Sequence, residues 1–479
     1  MPRRECEDTD SAQQSSAPTT DSPTLEVDVL VIGWGKGGKT LARSLGSSGT
    51  RVALVEQSES MIGGTCINVA CVPTKTLIHQ AAMRPEDAAP ADWFTTSVEA
   101  RDALSGKLNA RNRELVEEAP DAVIVMGTAA FVDPHTVEVT QGEDRMRIVA
   151  GTIVVNTGTV PASPPIPGAD SARVYDSTTL QHADPFPERL VIVGGGYIGL
   201  EFAGMFAGFG AEVTVVDPGE RILPREDEDV AAGVAEHLGS AGVTFRLGSG
   251  VSAIEETADG VDVRTEDGGT VAADAVLLAV GRSATTADLG LDRAGIEVDD
   301  RGFIRVDDTL RSVSADHVFA VGDINGGPQF TYVSLDDNRI VADQLSGSGE
   351  RRRSDRVAVP NTMFLTPPLS RVGINAQQAR EEGRRVLVAA KPVAAIAAMP
   401  RPKILGNPTG MIKVVADPDT RELLGATVWC VDSQEVINLL ALAMRAGVTV
   451  DALRDGIWTH PSSTEALNEV LGELAPLAD

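Results

Sequence analysis

The sequence has little cysteine and no long hydrophobic run. Only four of its 479 residues are cysteine, far too few for a secreted scaffold held by disulfide bonds, and this scarcity favours a reducing compartment. The apolar runs, such as VLVIG and AVLLAVG, are well below the roughly 20 residues that a bilayer span requires. We therefore expect a cytoplasmic protein that does not cross a membrane.

Positive charge is also scarce. Lysine and arginine together number 41, against 69 aspartate and glutamate residues, which gives a formal net charge of −28 at pH 7. A field of this sign repels nucleic acid and anionic membrane surfaces. We expect neither of them as a partner.

Length and repeated patterns predict several domains. At roughly 150 residues per domain, the chain is long enough for about three. A buried strand, a glycine-rich turn, an amphipathic helix and a second strand begin at Leu25, and the same order recurs from Arg189. Two such βαβ units predict two dinucleotide-binding domains.

The expected fold class is α/β, with two Rossmann-like (three-layer ββα) domains and a C-terminal α+β domain. Proline-rich stretches and changes of pattern mark the boundaries. The expected segments are a disordered tail at 1–24, the first nucleotide-binding domain in two parts at 25–186 and 284–355, the second at 187–283, and the C-terminal domain at 356–479.

The first glycine fingerprint follows a predicted strand and opens a predicted helix. Gly33 permits the tight turn, Gly35 lets the backbone approach a pyrophosphate, and Gly38 lets helix and strand pack closely. Glu56 ends the next strand, where it would accept hydrogen bonds from ribose hydroxyls. The strand, helix and acid together favour a dinucleotide site over a turn that binds nothing.

The second fingerprint consists of Gly194, Gly196 and Gly199, with Asp217 at the same offset as Glu56. An acid at this position bonds the 2′-hydroxyl of NADH and repels the 2′-phosphate of NADPH, so NADH is favoured. Arg221 and Arg225 lie nearby and keep NADPH as the alternative.

The segment GGTCINVACVPTK places Cys66 and Cys71 five positions apart. On a regular helix their Cα atoms would be roughly 8 to 9 Å apart, beyond the roughly 7 Å that a disulfide spans. If the pair forms a disulfide, the helix must be distorted here, and Cys71 would lie at the N-terminus of the helix that follows, where its thiolate is favoured. Two unpaired core cysteines, or half of a metal site, are the alternatives.

The chain resembles the flavoprotein disulfide reductases, the family of glutathione reductase, lipoamide dehydrogenase and mercuric reductase, from Leu25 to its end. Within that family it is similar to the RclA-type reductases, bacterial flavoenzymes linked to resistance to reactive chlorine species and hypothiocyanous acid. The matching stretches are GKGGKTLA, GGTCINVACVPTKTLIH, VYDSTTL, LPRED, QFTYVSLDD, TPPLSRVG and LGATVWCVDSQEVIN. Ala70 departs from the glycine that most members have before the second cysteine.

The resemblance implies one FAD per subunit in the first nucleotide-binding domain and NAD(P)H in the second. FAD would lie on the first fingerprint and Glu56, together with Gly64, Thr65, Thr128, Ala129, Gly158 and Asp323. The nicotinamide nucleotide would lie on the second fingerprint with Asp217 and Gly281.

The resemblance also implies a set of residues around the flavin. Lys75 resembles the lysine beside flavin N5, and Glu201 resembles its ion-pair partner. Tyr197 resembles the ring that covers the nicotinamide pocket until NADH enters. Surface ion pairs and a core tyrosine are the structural alternatives.

His460 and Glu465 resemble the His-Pro…Glu motif of the family. His460 would act as general acid and base for Cys66, with Glu465 fixing its tautomer. In the family this histidine reaches the cysteines of the other subunit, so the resemblance implies a homodimer and a dimerisation role for the C-terminal domain.

The expected activity is transfer of electrons from NADH through FAD and the Cys66–Cys71 pair to a small oxidant, with hypothiocyanous acid favoured. Reduction of Cu(II), lipoamide dehydrogenase activity and mercuric reduction are alternatives, the last disfavoured because the C-terminus, LGELAPLAD, has no cysteine pair. A redox sensor that binds FAD without turnover is the non-enzyme alternative.

Two cysteines are expected to take no part. Cys6 lies in the predicted tail, and Cys430 in the strand TVWCV is expected to be a core thiol. The histidines other than His460 show no metal-ligand spacing, so we expect no metal site.

Overall fold

The computed structural model describes residues 23–477. The expected tail, apart from residues 23 and 24, and Cys6 within it therefore lie outside the described residues. In the described range, no helix is both long and apolar enough to cross a bilayer.

The first part of the chain forms a sheet with helices packed on it. Its helices are α1 (Lys36–Ser47), α2 (Thr65–Asn68), α3 (Cys71–Ala82) and α4 (Pro90–Glu117). Its strands are β1 (Thr24–Ile32), β2 (Val52–Glu56), β3 (Ala122–Met126), β4 (Thr128–Asp133), β5 (Thr136–Gln141), β6 (Asp144–Val155) and β7 (Thr159–Pro161). The sheet order is β3-β2-β1-β6-β5-β4, parallel from β3 to β6 and antiparallel from β6 to β4.

The middle of the chain forms a second parallel sheet, in the order β11-β10-β9-β15-β8, with an antiparallel layer β12-β13-β14 beside it. Its helices are α5 (Tyr197–Phe209) and α6 (Glu228–Ser240). Its strands are β8 (Val174–Tyr175), β9 (Arg189–Val193), β10 (Glu212–Asp217), β11 (Val243–Leu247), β12 (Val251–Thr257), β13 (Gly260–Thr265), β14 (Thr270–Ala273) and β15 (Ala275–Leu278).

The chain then returns to the first sheet. Strand β16 (Arg282–Ala284) pairs with β7, and β17 (Val318–Ala320) adds to the first sheet in parallel with β6. Helix α7 (Thr331–Ser346) then packs against α1. The first nucleotide-binding unit is thus assembled from two separate stretches of sequence.

The C-terminal part is an antiparallel sheet in the order β18-β19-β22-β21-β20-β23. Its strands are β18 (Asn361–Met363), β19 (Leu369–Gly373), β20 (Leu387–Pro392), β21 (Met411–Ala416), β22 (Leu423–Trp429) and β23 (Ala475–Pro476). Its helices are α8 (Ala376–Glu381), α9 (Arg401–Ile404), α10 (Ser433–Arg445), α11 (Val450–Arg454) and α12 (Ala466–Val470). The predicted fold class, two Rossmann-like units and an α+β C-terminal domain, is confirmed.

The apolar runs that predicted the parallel strands are buried on both faces. Every residue of β2 and of β15 is buried, which is why these strands show no alternation of polar and apolar residues. An aromatic cluster joins the two nucleotide-binding units. The centroid of the Phe94 ring, on α4, lies 5.2 to 5.6 Å from the ring centroids of Phe186, Phe206 and Phe209.

A single asparagine ties together the elements at the end of β6. Asn156 is buried, and its Oδ1 accepts a hydrogen bond from the Gly38 N–H at 2.8 Å. Its Nδ2 donates to the carbonyl oxygen of Val321, just after β17, at 2.6 Å. The side chain thus connects the start of α1 to the ends of the neighbouring strands β6 and β17.

We expect Asn156→Ala to lower the free energy of unfolding by about 1–3 kcal/mol, because it leaves a buried donor and a buried acceptor unpaired. Asn468→Ala is the matched control, since that amide also donates to two carbonyl oxygens but is exposed. Urea denaturation followed by circular dichroism measures both. Equal losses in the two variants would contradict the role assigned to Asn156.

Candidate active site

Three glycines at the start of α1 leave no room for a Cβ. Gly33 has a φ of +99°, and a Cβ there would lie 2.5 Å from the carbonyl oxygen of Asn156. A Cβ on Gly35 or Gly38 would lie 2.4 or 2.7 Å from Oδ1 of the same asparagine. Asn156 thus packs against the backbone of all three glycines, and Gly33 and Gly35 line the cavity beside it.

Glu56 ends β2 at the wall of that cavity. Its carboxylate accepts hydrogen bonds from three backbone N–H groups, those of Trp34, Gln57 and Ser58. Burial nevertheless raises its pKa above the usual value. The position matches the acid that the first fingerprint predicts.

The cavity has a volume of about 1450 Å³, larger than the roughly 300–1000 Å³ of most ligand pockets. It runs from the glycine loop to the two cysteines. The predicted site residues that line it are Gly33, Gly35, Glu56, Gly64, Thr65, Cys66, Cys71, Lys75, Thr128, Ala129, Gly158, Tyr197, Glu201 and Asp323. Gly38 lies behind its wall, on the buried face of α1.

The helix carrying the two cysteines is interrupted between them. Helix α2 ends at Asn68 and α3 begins at Cys71, with Ala70 at φ −127° and ψ −100°, outside the helical region. Gly64, at φ +83°, provides the turn before α2. The distortion that the spacing predicts is therefore present, and Cys71 lies at the N-terminus of α3 as predicted.

Both cysteines are free thiols here, and the electrostatics of the two differ. Cys71 is open to the cavity, and a hydrogen bond from Cys66 lowers its pKa, assisted by Thr331 and by the charge of Lys75. The same hydrogen bond, with burial and repulsion from Cys71, raises the pKa of Cys66. When the pair is reduced, the negative charge therefore resides on Cys71, as the N-terminal helix position predicts.

Lys75 and Glu201 form the ion pair that the sequence predicts. Lys75 Nζ, on α3, lies 2.6 Å from Glu201 Oε2, on α5. The second carboxylate oxygen of Glu201 accepts the Phe364 N–H at 2.8 Å, and Lys75 Nζ lies 5.1 Å from the centre of the Phe364 ring. The pair is only partly exposed, so the alternative of a surface ion pair is not supported.

Asp323 also lines the cavity, and burial raises its pKa. Its Oδ2 accepts a hydrogen bond from Thr159, whose hydroxyl oxygen in turn accepts one from Arg282. The pairing of β7 with β16 brings these residues together. Neither Thr159 nor Arg282 was predicted from the sequence.

The second fingerprint lines a separate hollow of about 540 Å³. Gly196 and Asp217 contact it, and the Asp217 carboxylate accepts the backbone N–H groups of Gly195 and Gly219, each at 2.7 Å. Gly194 and Gly199 do not line it. A Cβ on Gly199 would lie 2.0 Å from the carbonyl oxygen of Gly194, and one on Gly194 would lie 2.6 Å from that of Ala279, so both positions allow close backbone packing. Gly281 does not line it either; it has a φ of +123° and open space where a side chain would project.

Tyr197 begins α5 and lines the large cavity next to the second hollow. Its hydroxyl donates to Glu226 Oε1 at 2.7 Å and lies 3.2 Å from Asn361 Oδ1. The ring is half-buried, and its hydroxyl pKa is raised, chiefly by burial.

His460 and Glu465 lie together, but they do not line the cavity. His460 Nδ1 lies 2.9 Å from Glu465 Oε1, and the Ser462 N–H donates to Oε2. Burial acts to raise the pKa of Glu465, but the hydrogen bonds from Ser462 and His460 outweigh it, and the pKa is lowered. The imidazole side chain is 71% exposed, and the neighbouring Ile457 is fully exposed.

Several polar contacts that support the cysteines have no signal in the sequence. Gln181 is fully buried, and its Nε2 donates at 2.8 Å to the carbonyl oxygen of Val69, which the interrupted helix leaves unpaired. Thr331 Oγ1 lies 3.6 Å from Cys71 Sγ, and Asn68 Nδ2 donates to the Gly64 carbonyl oxygen at 3.0 Å. Cys430 is buried, as expected of a core thiol.

A thiol pair at one end of a cavity whose other end has a dinucleotide fingerprint, next to a second such fingerprint, defines a dithiol oxidoreductase with two nucleotide sites. The chain matches the pyridine nucleotide-disulphide oxidoreductases over residues 27–337 and the dimerisation domain of the same family over residues 359–471. It belongs to this family.

The curated relatives include the probable pyridine nucleotide-disulfide oxidoreductase RclA of Escherichia coli, 43% identical over 92% of this chain and 98% of that protein. A dihydrolipoyl dehydrogenase of Haloferax volcanii is 35% identical over 92% and 95%. Among solved structures, the Cu(II) complex of the HOCl-induced flavoprotein disulfide reductase RclA from E. coli aligns with a TM-score of 0.89 and 42% identity, over 93% of this chain and 99% of that one.

The protein is therefore an FAD-containing oxidoreductase that uses a pyridine nucleotide. This result favours an enzyme over a sensor without turnover. The prediction of an RclA-like flavoprotein from the sequence motifs is confirmed.

We expect the low pKa of Cys71 to depend on the hydrogen-bond donor at position 66. In the Cys66→Ser variant a hydroxyl donor remains, so Cys71 should react with iodoacetamide half-maximally near pH 6. In Cys66→Ala no donor remains, and the midpoint should rise by about one unit or more. Peptide mass spectrometry of Cys71 across a pH series measures it, and identical midpoints in the two variants would contradict the assignment.

Proposed function

We propose that this enzyme transfers electrons from NADH, through FAD and the Cys66–Cys71 pair, to a small oxidant, with hypothiocyanous acid as the physiological acceptor. The observation that carries the proposal is the position of the two thiols in one cavity, which both of them line, with Cys71 exposed and Cys66 half-buried. The E. coli relative that is induced by HOCl supports an oxidant of this kind. A cytoplasmic site of action is part of the proposal.

The cavity fits FAD on three observations. Its volume exceeds that of ordinary ligand pockets, Gly33 and Gly35 in its wall leave no room for a Cβ, and Gly158 faces open space. When bound, FAD accepts two electrons from the nicotinamide and passes them to the disulfide. The residues that would hold it are Gly33, Gly35, Gly38, Glu56, Gly64, Thr65, Thr128, Ala129, Gly158 and Asp323, within a domain spanning 25–186 and 284–355.

Lys75 and Glu201 would act on the flavin as a pair. The ammonium of Lys75 provides a positive charge at the cavity wall, which favours the reduced, anionic form of the cofactor. Glu201 holds that charge in place from the neighbouring α5, because its other oxygen is fixed by the Phe364 backbone.

The second hollow, in the proposed domain 187–283, would take the nicotinamide nucleotide on Gly196 and Asp217, which line it. Gly194, Gly199 and Gly281 lie outside the lining, and Tyr197 would cover the nicotinamide pocket. Carboxylates dominate this hollow, since Asp217, Glu220 and Glu228 line it against one arginine, Arg221. The Arg221 guanidinium is bonded to the carbonyl oxygens of Pro224 and Glu226 and to Gln377. A 2′-phosphate would meet repulsion here, so NADH is favoured over NADPH.

The chemistry at sulfur follows from the two thiol environments. Cys66 attacks the sulfur of hypothiocyanous acid, the S–O bond breaks, and the departing hydroxide takes a proton to become water. Cys71, already a thiolate, then displaces thiocyanate from the sulfenyl thiocyanate on Cys66 and forms the disulfide. The oxidant accepts two electrons, which the dithiol supplies.

Cys66 needs a base because its own pKa is raised. His460 fits this role, since its Nδ1–H is oriented by Glu465 and its Nε2 is left to exchange a proton. It lies outside the cavity of its own chain, so we propose a homodimer, joined through the domain at 356–479, in which His460 of the partner subunit reaches Cys66. The match to the dimerisation domain supports this.

Cu(II) is the second candidate acceptor, because a solved relative is a Cu(II) complex. Lipoamide is a third, because a relative 35% identical is a dihydrolipoyl dehydrogenase.

Stopped-flow spectroscopy separates these acceptors. Enzyme reduced with one equivalent of NADH should be reoxidised fastest by hypothiocyanous acid, and Cys66→Ser should lower that rate by about a thousandfold or more, because the attacking sulfur is lost. Cys430→Ser is the matched control and should leave it unchanged. If lipoamide, or Cu(II), were the one acceptor that reoxidised the enzyme at a rate sufficient for turnover, the proposed acceptor would be wrong.

Mixed dimers test whether His460 acts across the subunit interface. Cys66→Ser and His460→Ala subunits, each inactive alone, should regain about a quarter of wild-type activity when mixed equally and exchanged, because half of the dimers then carry one complete site. If His460 acts within its own chain, no mixture recovers activity. Size-exclusion chromatography with light scattering verifies that exchange leaves dimers.

A further inference from the structure

A buried carboxylate, that of Glu226, holds the hydroxyl of Tyr197, and the proposed mechanism does not use it. The Glu226 side chain is 1% exposed, and its Oε1 accepts the Tyr197 hydroxyl at 2.7 Å. Arg371 Nη1 lies 3.5 Å from the same oxygen. Within residues 23–477, Oε2 of Glu226 accepts no hydrogen bond. In this range the Tyr197 hydroxyl is therefore the one hydrogen-bond donor to the carboxylate.

The segment that carries Glu226 also forms part of the wall of the second hollow. Arg221 lines that hollow, and its guanidinium donates to the carbonyl oxygen of Glu226 at 3.1 Å. From the C-terminal sheet, Arg371 Nη1 donates to the carbonyl oxygen of Arg225 at 2.8 Å. These backbone contacts fix the acid without the help of Tyr197. The tyrosine ring, which borders the large cavity, is thus the part of the pair that can move.

The hydrogen bond favours the ring position that the structure shows. A buried carboxylate costs free energy unless it is hydrogen-bonded. Burial and the charge of Glu226 raise the pKa of the Tyr197 hydroxyl, so the hydroxyl keeps its proton and remains a donor. If the ring turned away, the carboxylate would keep only its 3.5 Å contact with Arg371 among the described residues.

We propose that Glu226 is a positioning residue that holds the Tyr197 ring over the nicotinamide pocket while that pocket is empty, and that nucleotide entry breaks this hydrogen bond. The inference rests on the proposed function, in which Tyr197 covers the nicotinamide pocket. The bond then weakens the binding of the nicotinamide nucleotide, because part of the binding free energy goes into displacing the ring. The carboxylate draws the ring back when the oxidised nucleotide leaves.

Two ligands separate the effect of the ring from the effect of the hollow. NAD⁺ carries a nicotinamide and must displace the ring, whereas ADP-ribose has the same adenosine and phosphates without the nicotinamide. Isothermal titration calorimetry with the oxidised, FAD-loaded enzyme gives the dissociation constant of each ligand. The readout is the ratio of the two constants. A distorted hollow or a general loss of stability would affect both ligands and leave this ratio nearly unchanged.

We expect Tyr197→Phe to strengthen the binding of NAD⁺ about tenfold relative to ADP-ribose, because the ring stays while its bond to a charged acceptor is lost. Glu226→Leu should have the same effect, and the double variant should equal either single variant, since both changes remove the same bond. Tyr175→Phe, on β8 of the same sheet, is the matched control. Tyr175 lines neither the cavity nor the hollow, so this change should leave the ratio unchanged.

Two results would overturn the proposal. One is an unchanged ratio in Tyr197→Phe, a variant that keeps the ring and its packing. The other is an additive gain in the double variant, which would show that the two residues act independently. If Glu226→Leu does not fold, Glu226→Gln takes its place in the cycle. It keeps an uncharged acceptor, so its gain should be smaller than that of Tyr197→Phe.

Tyr197→Ala distinguishes a failure of this proposal from a failure of the proposed function. If Tyr197→Ala strengthens NAD⁺ binding relative to ADP-ribose but Tyr197→Phe does not, the ring covers the pocket and Glu226 does not hold it there. If Tyr197→Ala also leaves the ratio unchanged, Tyr197 does not cover the nicotinamide pocket, and the proposed role of the tyrosine is wrong together with that of Glu226.

Discussion

Two sulfur atoms five residues apart can meet only where the helix that carries them is interrupted, and the rest of the site depends on this interruption. The break between α2 and α3 leaves the carbonyl of Val69 without a helical partner, because residue 73 is proline and has no N–H to donate. Gln181 satisfies this carbonyl, and that of Ala70 accepts both the N–H of Thr74 at 2.9 Å and its hydroxyl at 2.6 Å. Polar groups buried around a broken helix thus keep it in a conformation that its own hydrogen bonds would not maintain.

The interruption also separates the electrostatic roles of the two sulfurs. Because α3 begins at Cys71, this sulfur gains the helix N-terminus and the nearby charge of Lys75, while Cys66 remains half-buried on the short α2. In a symmetric pair the two sulfurs would share the proton equally, and electron transfer through the pair would have no preferred direction. The asymmetry lowers the pKa of Cys71 and raises that of Cys66, so in the proposed mechanism Cys66 would need a base.

The sequence was sufficient for features that are local in the chain. Both glycine fingerprints, the acids at 56 and 217, and the start of α3 at Cys71 follow from residues within about 25 positions of one another, where strand, turn and helix periods determine geometry. Contacts between distant segments were not accessible in this way. Thr331 is 260 residues from Cys71, and Gln181 is 112 from Val69, so only the packing of α7 and of the segment before β9 brings them near.

The difference between the two sulfurs also bears on the role of His460. The His460 side chain is 71% exposed, and Glu465 holds it in one tautomer. Within its own chain this fixed orientation has no evident use. Cys66, in contrast, has a raised pKa and no basic side chain other than Lys39 acting on it in the described range. In the proposed dimer, the oriented imidazole of the partner subunit would supply the base that the cavity lacks, and the sulfur that meets the oxidant would become reactive only when two chains associate.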